Sequence, residues 1–444
     1  MSVVINGDTG ISGVNGSAGN PAIKGGDADT GIHFGTDTAA ITTGGTDKIS
    51  IDSSGDATFS GTVKTSKVEN ANTSNGGVEI DTDGHVAIDG ANFPTAGSLS
   101  NRNLIINGSM QVAQRGTSNS GQNSYAVDRF NLQSSSTDTT ISQVDVASGT
   151  DPYNLGFRKH VRITNTSTTG ASNGYRILRQ RIEAQNISTS GWQYTSTSSY
   201  ITLSFWVKAS VSQEYYGLVR TENATRHVYA FSLGTIGTTW TKVTKTIPGA
   251  AAITINNDNG AGLNVDLYPW LAGDFTNNNP LETWAAEDAS NFLPDMANTW
   301  ASTIGATFDV TGVQLEVGSK STPFEHESFG QTLLKCQRYY YEHPEQRYRP
   351  ALIDGNGVYV GAFVSHPVQM RAKPSISLKS FALFYYNPGS GQNNILPNGV
   401  ASNVVYSGDS LTGIANLVGN SNFGIGLDQQ TGQWECRWTF SAEV

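Results

Sequence analysis

The first 98 residues contain neither tryptophan nor tyrosine, and their only large aromatic side chains are Phe34, Phe59 and Phe93. So few large apolar side chains cannot bury enough surface to hold a monomeric fold together. Such a segment therefore stays disordered or shares a core with identical neighbours. Two patterns within it favour the shared core.

The first pattern is an internal repeat, because Ile51–Gly61 aligns with Ile80–Gly90. Each copy has the order strand, Asp/Gly turn, strand. Apolar residues alternate with polar ones, so each hairpin has one apolar face. The apolar residues are Ile49, Ile51, Ala57 and Phe59 in the first copy and Val78, Ile80, Val86 and Ile88 in the second. Since a lone hairpin is only marginally stable in water, we expect three chains around one axis to cover these faces.

The second pattern is glycine at every third position from Gly7 to Gly19, followed by Ala22 and then Gly25. A collagen-like triple helix needs this period, because only glycine fits at its crowded axis. The alternative is a flexible Gly-rich leader. Under either interpretation, residues 1–35 form an attachment leader and residues 36–98 a shaft of β-hairpin repeats.

A boundary follows the shaft, where Pro94 and Gly97 would interrupt any strand. Residues 101–327 contain short β-type runs between turn clusters, a spacing typical of a β-sandwich. In the run Tyr200–Lys208, alternation turns Trp206 and Lys208 to the face opposite the core. The side chains predicted to face the core are Ile201, Leu203, Phe205 and Val207.

The best helical signal covers residues 328–341, where Ser328 and Gln331 have the spacing of a capping box. Residues 342–444 return to β-type patterns and are long enough for a small C-terminal domain. The chain is therefore predicted to be all-β. We expect it to consist of a trimeric shaft of β-hairpins, a β-sandwich and a small β-rich C-terminal domain.

Charge and cysteine content exclude several functions. The formal net charge is −10, and residues 1–98 carry most of it, so nucleic-acid binding is not expected. Cys336 and Cys436 form no CxxC or Cys/His cluster, and we expect no metal and no cofactor. The sequence has no apolar run of the length that spans a bilayer and no signal-peptide pattern, so we expect neither membrane insertion nor secretion.

Catalysis has no support in the sequence. Hydrolysis of a polysaccharide would need two carboxylates across a groove. The acidic pairs Asp266/Asp274, Glu282/Glu287 and Glu325/Glu327 are more simply explained as turn residues and solvated edges. The seven histidines show no catalytic or metal-binding spacing. We expect no catalytic residues and no enzyme.

Sugar binding needs aromatic faces beside a few polar groups, and the chain has eight tryptophans. Trp206 and Trp240 lie in strand-like runs, which favours core packing for them. Trp270, Trp284 and Trp300 lie in what the sequence suggests is a long loop region, where binding surfaces vary. These three are the candidate carbohydrate-binding residues, although Trp284 also has a structural interpretation.

Six motifs between residues 103 and 340 resemble a family of phage tail-fibre domains that look like carbohydrate-binding jelly rolls. They are Asn103–Gly116, Tyr125–Phe130, Leu281–Trp284, Val310–Gly318, Thr322–Glu325 and Cys336–Tyr340. The leader and the repeats are similar to the shafts of marine phage (cyanophage-like) fibres.

The resemblance implies a homotrimeric structural protein of the virion, made in the host cytoplasm. Its leader would bind a tail adaptor or nozzle protein, and its sandwich would attach to host-surface polysaccharide. Two alternatives remain. One is a purely architectural fibre or spacer without a receptor, and the other is a polysaccharide-cleaving tailspike.

Overall fold

The structure is a computed structural model that divides the chain into two compact units, Met1–Gly90 and Ala91–Val444. The residues it describes are 4–6, 10–12, 15–64, 67–69, 77–80, 86–88, 91–92, 100–168, 173–277, 279–348, 358–360, 366–372, 374–387, 392–397, 405–407, 416–421 and 432–443. Within these ranges, no helix combines the length and apolar character needed to cross a membrane.

Antiparallel β-ribbons make up the first unit, and its largest sheet has the order β5-β6-β7-β8-β9. Its strands are β1 (Val4–Asn6), β2 (Gly10–Ser12), β3 (Gly16–Ser17), β4 (Asn20–Pro21), β5 (Ile23–Lys24), β6 (Gly31–Gly35), β7 (Thr38–Thr43), β8 (Thr46–Ile51), β9 (Ala57–Phe59), β10 (Lys67–Glu69), β11 (Gly77–Ile80) and β12 (Val86–Ile88).

The internal repeat folds as two hairpins of the same register. Ile49 pairs with Phe59 in the first hairpin, and Val78 pairs with Ile88 at the equivalent positions of the second. The predicted pair of antiparallel strands is confirmed in both copies, and residues 81–85, the predicted turn of the second copy, lie outside the described residues. Of the predicted collagen-like period, residues 7–9 and 13–14 lie outside the described residues, and Gly16 lies in the β-strand β3. The trimeric shaft stays a prediction.

A β-sandwich dominates the second unit. Its six-stranded sheet has the order β14-β17-β18-β26-β20-β23, and its seven-stranded sheet the order β15-β16-β19-β24-β21-β22-β25. The strands, with the short β13 before them, are β13 (Ala91–Asn92), β14 (Ser118–Ser120), β15 (Ser124–Tyr125), β16 (Asn131–Ser134), β17 (Thr139–Asp145), β18 (Lys159–Asn165), β19 (Tyr175–Glu183), β20 (Tyr200–Ala209), β21 (Gln213–Thr221), β22 (His227–Ile236), β23 (Thr241–Pro248), β24 (Ala261–Leu271), β25 (Trp284–Ala286) and β26 (Thr307–Val317). The predicted all-β class and the sandwich are confirmed.

The main core lies between these two sheets. Strand β20 contributes every second side chain to it, as predicted from the alternation. The four side chains are fully buried and are Ile201, Leu203, Phe205 and Val207. The intervening side chains of β20 therefore point to the outer face of the six-stranded sheet.

A bulge in β26 shifts the register of this outer face next to Trp206. Ser204 pairs with Gln314 but Trp206 pairs with Thr311, so β26 carries one extra residue between them. Gly312 lies in the bulge with φ +64°, and a Cβ there would stand 2.7 Å from the Phe157 ring. Glycine meets both demands, the left-handed backbone and the close approach.

Among the described residues, four short helices interrupt the strands: α1 (Asp151–Asn154), α2 (Ala184–Ser188), α3 (Thr299–Ser302) and α4 (Phe329–Gln337), with a 3-10 turn at Gly273–Phe275. Helix α4 begins with the predicted capping box. The Ser328 hydroxyl accepts from the Gln331 amide at 3.3 Å, and the Gln331 side chain accepts from the Ser328 amide at 3.2 Å.

The C-terminal strands belong to the same compact unit as the sandwich. They form sheets of order β27-β33-β29-β30 and β28-β32-β31. Their bounds are β27 (Tyr340–Tyr348), β28 (Val358–Val360), β29 (Ser375–Asn387), β30 (Gln392–Pro397), β31 (Val405–Ser407), β32 (Asn416–Ser421) and β33 (Gly432–Ser441). The prediction of further β structure after α4 is confirmed.

An ionic cluster fastens the C-terminal residues to the sandwich. The Glu443 carboxylate accepts from Arg129 and, at 2.7 Å, from Arg115. Burial raises the pKa of Glu443, but the two arginines outweigh burial and hold it below its usual range. The Arg129 guanidinium also stacks on Tyr339 at 3.4 Å. Three of the sequence motifs therefore meet at this cluster, through Arg115, Arg129 and Tyr339.

Candidate functional site: the outer face of the six-stranded sheet

The seven-stranded sheet has a covered outer face. Side chains on either side of β25, among them Phe275, Leu281 and Phe292, pack over it and close a second apolar cluster, in which Leu293 is fully buried. The buried members of this cluster are Ile177, Tyr216, Leu218, Val228, Ala230, Tyr268, Leu271 and Leu293. The covered part offers no surface to a ligand.

Beside this cluster, a buried ion pair occupies the same face. Arg179 donates to both carboxylate oxygens of Asp266 at 2.6 Å, and the Asp266 side chain is 0% exposed. Burial lowers the pKa of Arg179, but Asp266 outweighs burial and raises it. The pair therefore stays charged and has a structural role.

One end of the six-stranded sheet's outer face is also covered. The Glu316 carboxylate accepts from the Thr322 amide at 2.8 Å and from its hydroxyl at 2.6 Å. Gln314 accepts from the Glu325 amide at 2.8 Å. The loop after β26 therefore closes this end of the sheet.

The other end of this face is open. Trp206 is half-buried there, between Thr311 on β26 and the exposed Lys242 on β23. Two residues along β20, Lys208 pairs with Asp309, and Asp309 pairs with Arg162 on β18. The open end thus presents an indole ring beside a row of charged side chains.

Asp309 organises these charges. Its two carboxylate oxygens each accept at 2.8 Å from Arg162, and Lys208 Nζ lies 3.7 Å away. The hydrogen bonds to Asp309 raise the pKa of Arg162. Arg162 and Lys208 keep 32% and 25% of their side-chain surface exposed, so both cations reach solvent although Asp309 is buried.

His160 and Trp240 complete this cluster. Their rings meet edge to face at 5.4 Å, and Lys208 Nζ lies 4.9 Å from the Trp240 ring. His160 Nε2 is 3.5 Å from Asp309, and neither ring nitrogen has a hydrogen-bond partner among the described residues. Burial lowers the pKa of His160 to about 4, so the ring is neutral at pH 7.

This arrangement suits the binding of a polar ring compound. An indole can stack on the C–H face of a sugar, and charged or amide groups beside it can bond the hydroxyls. Trp206 supplies the ring, while Arg162, Lys208 and Lys242 supply donors. These side chains are not arranged for nucleophilic or acid–base catalysis, because the Asp309 carboxylate is buried and paired with cations.

The structure places the three candidate tryptophans from the sequence elsewhere. Trp270 lies in β24 with 3% of its surface exposed, and Trp300 lies in α3 with 0% exposed, both in the main core. Trp284 is half-buried in β25, and its Nε1 donates to the Pro248 carbonyl at 2.6 Å. The expectation of a long loop at 267–271 and 299–300 is wrong, since these residues belong to a strand and a helix. Trp270 and Trp300 have no free ring face.

The acidic pairs of the sequence do not meet across a groove. Asp266 is committed to Arg179, and Glu282 is bonded to Lys245 at 2.8 Å. Glu325 accepts from the backbone amides of Asn101 and Asn103 at 2.5 and 2.9 Å. These carboxylates have structural partners.

Trp206 was missed as a binding residue because its strand-like context favoured core packing. A signal for it exists in the sequence. The alternation of β20 turns Trp206 away from the core, so its ring lies on the outer face, where an aromatic ring can stack on a sugar.

Neither a family model nor a curated protein matches the chain. The chain is similar to the enzymatically active domain of tailspike protein 4 of bacteriophage CBA120, with a TM-score of 0.27 and 14% identity over 48% of this chain and 21% of that chain. It thus spans about a fifth of that tailspike chain. It is also similar to a structure titled "CBM4 structure and function", with a TM-score of 0.24 and 13% identity over 48% of this chain and 97% of that chain.

A third similar structure is a putative sugar binding protein from Bacteroides thetaiotaomicron, with a TM-score of 0.26 and 10% identity over 48% of this chain and 99% of that chain. The strand orders of the chain itself, and not these similarities, define the sandwich.

Proposed function

We propose that this chain is the adhesive subunit of a fibre and that it binds polysaccharide through the open end of the six-stranded sheet. One observation carries the proposal: half-buried Trp206 lies beside the row Arg162, Asp309 and Lys208 on the outer face of the sheet. One of the similar structures is a putative sugar binding protein, which is consistent with this chemistry.

The fibre belongs to a phage virion in this proposal, as a homotrimeric tail fibre whose leader binds a tail adaptor or nozzle protein. The support is the set of sequence motifs. Arg115, Arg129 and Tyr339 come from three of them and lie in one ionic cluster, which is what a set of motifs from one domain should do. Three copies per fibre multiply weak glycan contacts through effective concentration, without a catalytic step.

A direct test measures binding of the full chain to extracted host-surface polysaccharide. Trp206→Ala is expected to weaken single-site binding at least tenfold, because stacking and its desolvation are lost. Trp284→Ala is the matched control, since Trp284 is the other half-buried tryptophan that the structure describes in the sandwich. The control should bind like the wild type.

Three outcomes would contradict this proposal. Loss of binding only in Trp284→Ala would show that the binding surface lies on the seven-stranded sheet. A folded chain that binds no polysaccharide and does not slow adsorption of the phage would favour the architectural fibre. Release of reducing sugar would favour the polysaccharide-cleaving tailspike.

A further inference from the structure

The five-stranded sheet of the first unit has one largely apolar face, with the polar pair Thr43 and Thr46 at one end. Two rows of side chains cross it, because antiparallel partners point to the same side of a sheet. The first row is Ile23, Ile32, Ile41, Ile49 and Phe59. The second row is Phe34, Ala39, Ile51 and Ala57. We call these nine residues the apolar face.

Nothing in the described part of the chain covers the apolar face. Five of its large side chains are exposed, by 46% at Ile23, 38% at Phe34, 44% at Ile41, 47% at Ile51 and 48% at Phe59, while Ile32 and Ile49 are half-buried. Together they leave an apolar patch on the order of 400 Å², within the size range at which exposed patches mark interaction sites.

The middle of the opposite face is closed, although Thr38 and Thr58 towards its margins are exposed. Ala40 and Thr42 are 6% and 0% exposed on that side. Pro21 packs there, since a Cβ on Gly31, the partner of Thr42, would lie 2.9 Å from Pro21 Cβ. The chain therefore buries threonine at the centre of one face and leaves isoleucine exposed on the other, the reverse of what a self-contained sheet does.

The pattern continues beyond this sheet. In the second hairpin, Val78 pairs with Ile88 and Ile80 with Val86, at the register of the first hairpin. Val78 is 38% exposed. An apolar face that recurs with the sequence repeat fits a partner with the same repeat.

We propose that the apolar face is the contact surface between copies of this chain. A second copy brings the same rows at the same spacing, so the faces can match along their length. No residue of the face is charged, whereas residues 1–98 are strongly acidic, which disfavours an anionic membrane or a nucleic acid as the occupant. The inference deepens the self-association in the proposed function and does not depend on glycan binding.

Mass measurement by analytical ultracentrifugation tests the contact on the full chain. The wild type should have at least twice the 47.2 kDa of one chain, and three times that mass in a trimer. The variant Ile41→Asp/Phe59→Asp should fall to the mass of one chain, because each buried carboxylate would lack a partner.

The matched control is Thr38→Asp/Thr58→Asp. It places the same charges on the same two strands, at exposed positions whose side chains alternate to the opposite face. The control should keep the wild-type mass. Tryptophan fluorescence, which reports only on the second unit because all eight tryptophans lie there, checks that the sandwich is folded in every variant.

A wild-type mass of 47.2 kDa would overturn the inference whatever the variants do. An equal loss of mass in variant and control would also overturn it, since the apolar face would then not be the contact. The inference would also be overturned by a wild type that has the mass of one chain and binds phosphatidylcholine vesicles through Ile41 and Phe59. The single-site affinity for polysaccharide should be unchanged in the variant, so a failure of glycan binding is distinguishable from a failure of self-association.

Discussion

The two outer faces of the sandwich differ in what covers them. On the seven-stranded sheet, side chains before and after β25 close an apolar cluster, and the pair Arg179–Asp266 is buried beside it. On the six-stranded sheet, the loop after β26 covers one end only, and Trp206, Arg162 and Lys208 reach solvent at the other. The charged pair on the first face stabilises the fold, because each side chain has its partner within the sandwich. On the second face, Arg162 and Lys208 remain accessible to a ligand.

This difference predicts opposite effects of substitution on the two faces. A change on the covered face should destabilise the sandwich, and a change at the open end should weaken binding with little effect on stability. All eight tryptophans lie in the second unit, so fluorescence-detected urea unfolding measures the free energy of unfolding for that unit.

The largest loss of stability is expected for Arg179→Ala. It leaves the Asp266 carboxylate buried without its cation, which costs about 3–5 kcal/mol. The double variant Arg179→Met/Asp266→Leu removes both charges and should recover most of the loss, as measured by urea unfolding. A single variant as stable as the wild type would contradict the burial of the pair.

The next effect is expected for Leu293→Ala, in the segment that covers the seven-stranded sheet. Loss of this fully buried side chain should cost about 2–4 kcal/mol through lost burial and the remaining cavity. Leu334→Ala is the control, since Leu334 is 46% exposed on α4. Equal unfolding free energies for the two variants would mean that the segment does not hold the face closed.

A pH effect of intermediate size is expected for His160. Its pKa of about 4 in the folded protein lies below the ordinary value of 6.5, because the ring is buried. The unfolded chain therefore binds the proton first, and stability is lost as pH falls from about 6.5 towards 4. Between pH 7 and pH 5 the loss is about 2 kcal/mol.

The variant His160→Leu removes this titration. Its free energy of unfolding should therefore change less between pH 7 and pH 5 than that of the wild type, in urea unfolding at both pH values. Parallel pH profiles for the two proteins would show that His160 titrates normally in the folded sandwich.

Several parts of this fold follow from local patterns in the sequence. Alternation identified the core side chains of β20, and the capping box located the start of α4. The two hairpins of the repeat followed from their apolar spacing. Each of these depends on residues close together in the chain, so the sequence carries the whole signal.

The positions of the tryptophans depended on distant contacts and could not be predicted in the same way. The sequence predicts a loop around Trp270, yet β24 continues through Pro269 to Leu271. The register between β24 and β19 shifts there, opposite Arg176 and Leu178, and a bulge accepts proline because it needs no ladder hydrogen bond. Trp300 lies buried within a four-residue helix, which is too short to show a periodic apolar pattern in the sequence. The exposure of Trp206 depends on how far the loop after β26 reaches, which no local pattern encodes.

The smallest effect on stability is expected for Trp206→Ala, at the open end. Trp206 is already half-buried on the outer face, so its loss should cost about 1 kcal/mol or less. Trp270→Ala should cost about 3–5 kcal/mol, because its ring is in the core. The same urea titration measures both variants. If Trp206→Ala destabilises the sandwich as much as Trp270→Ala does, the indole is a structural side chain, and a loss of polysaccharide binding in that variant would report unfolding and not a lost contact.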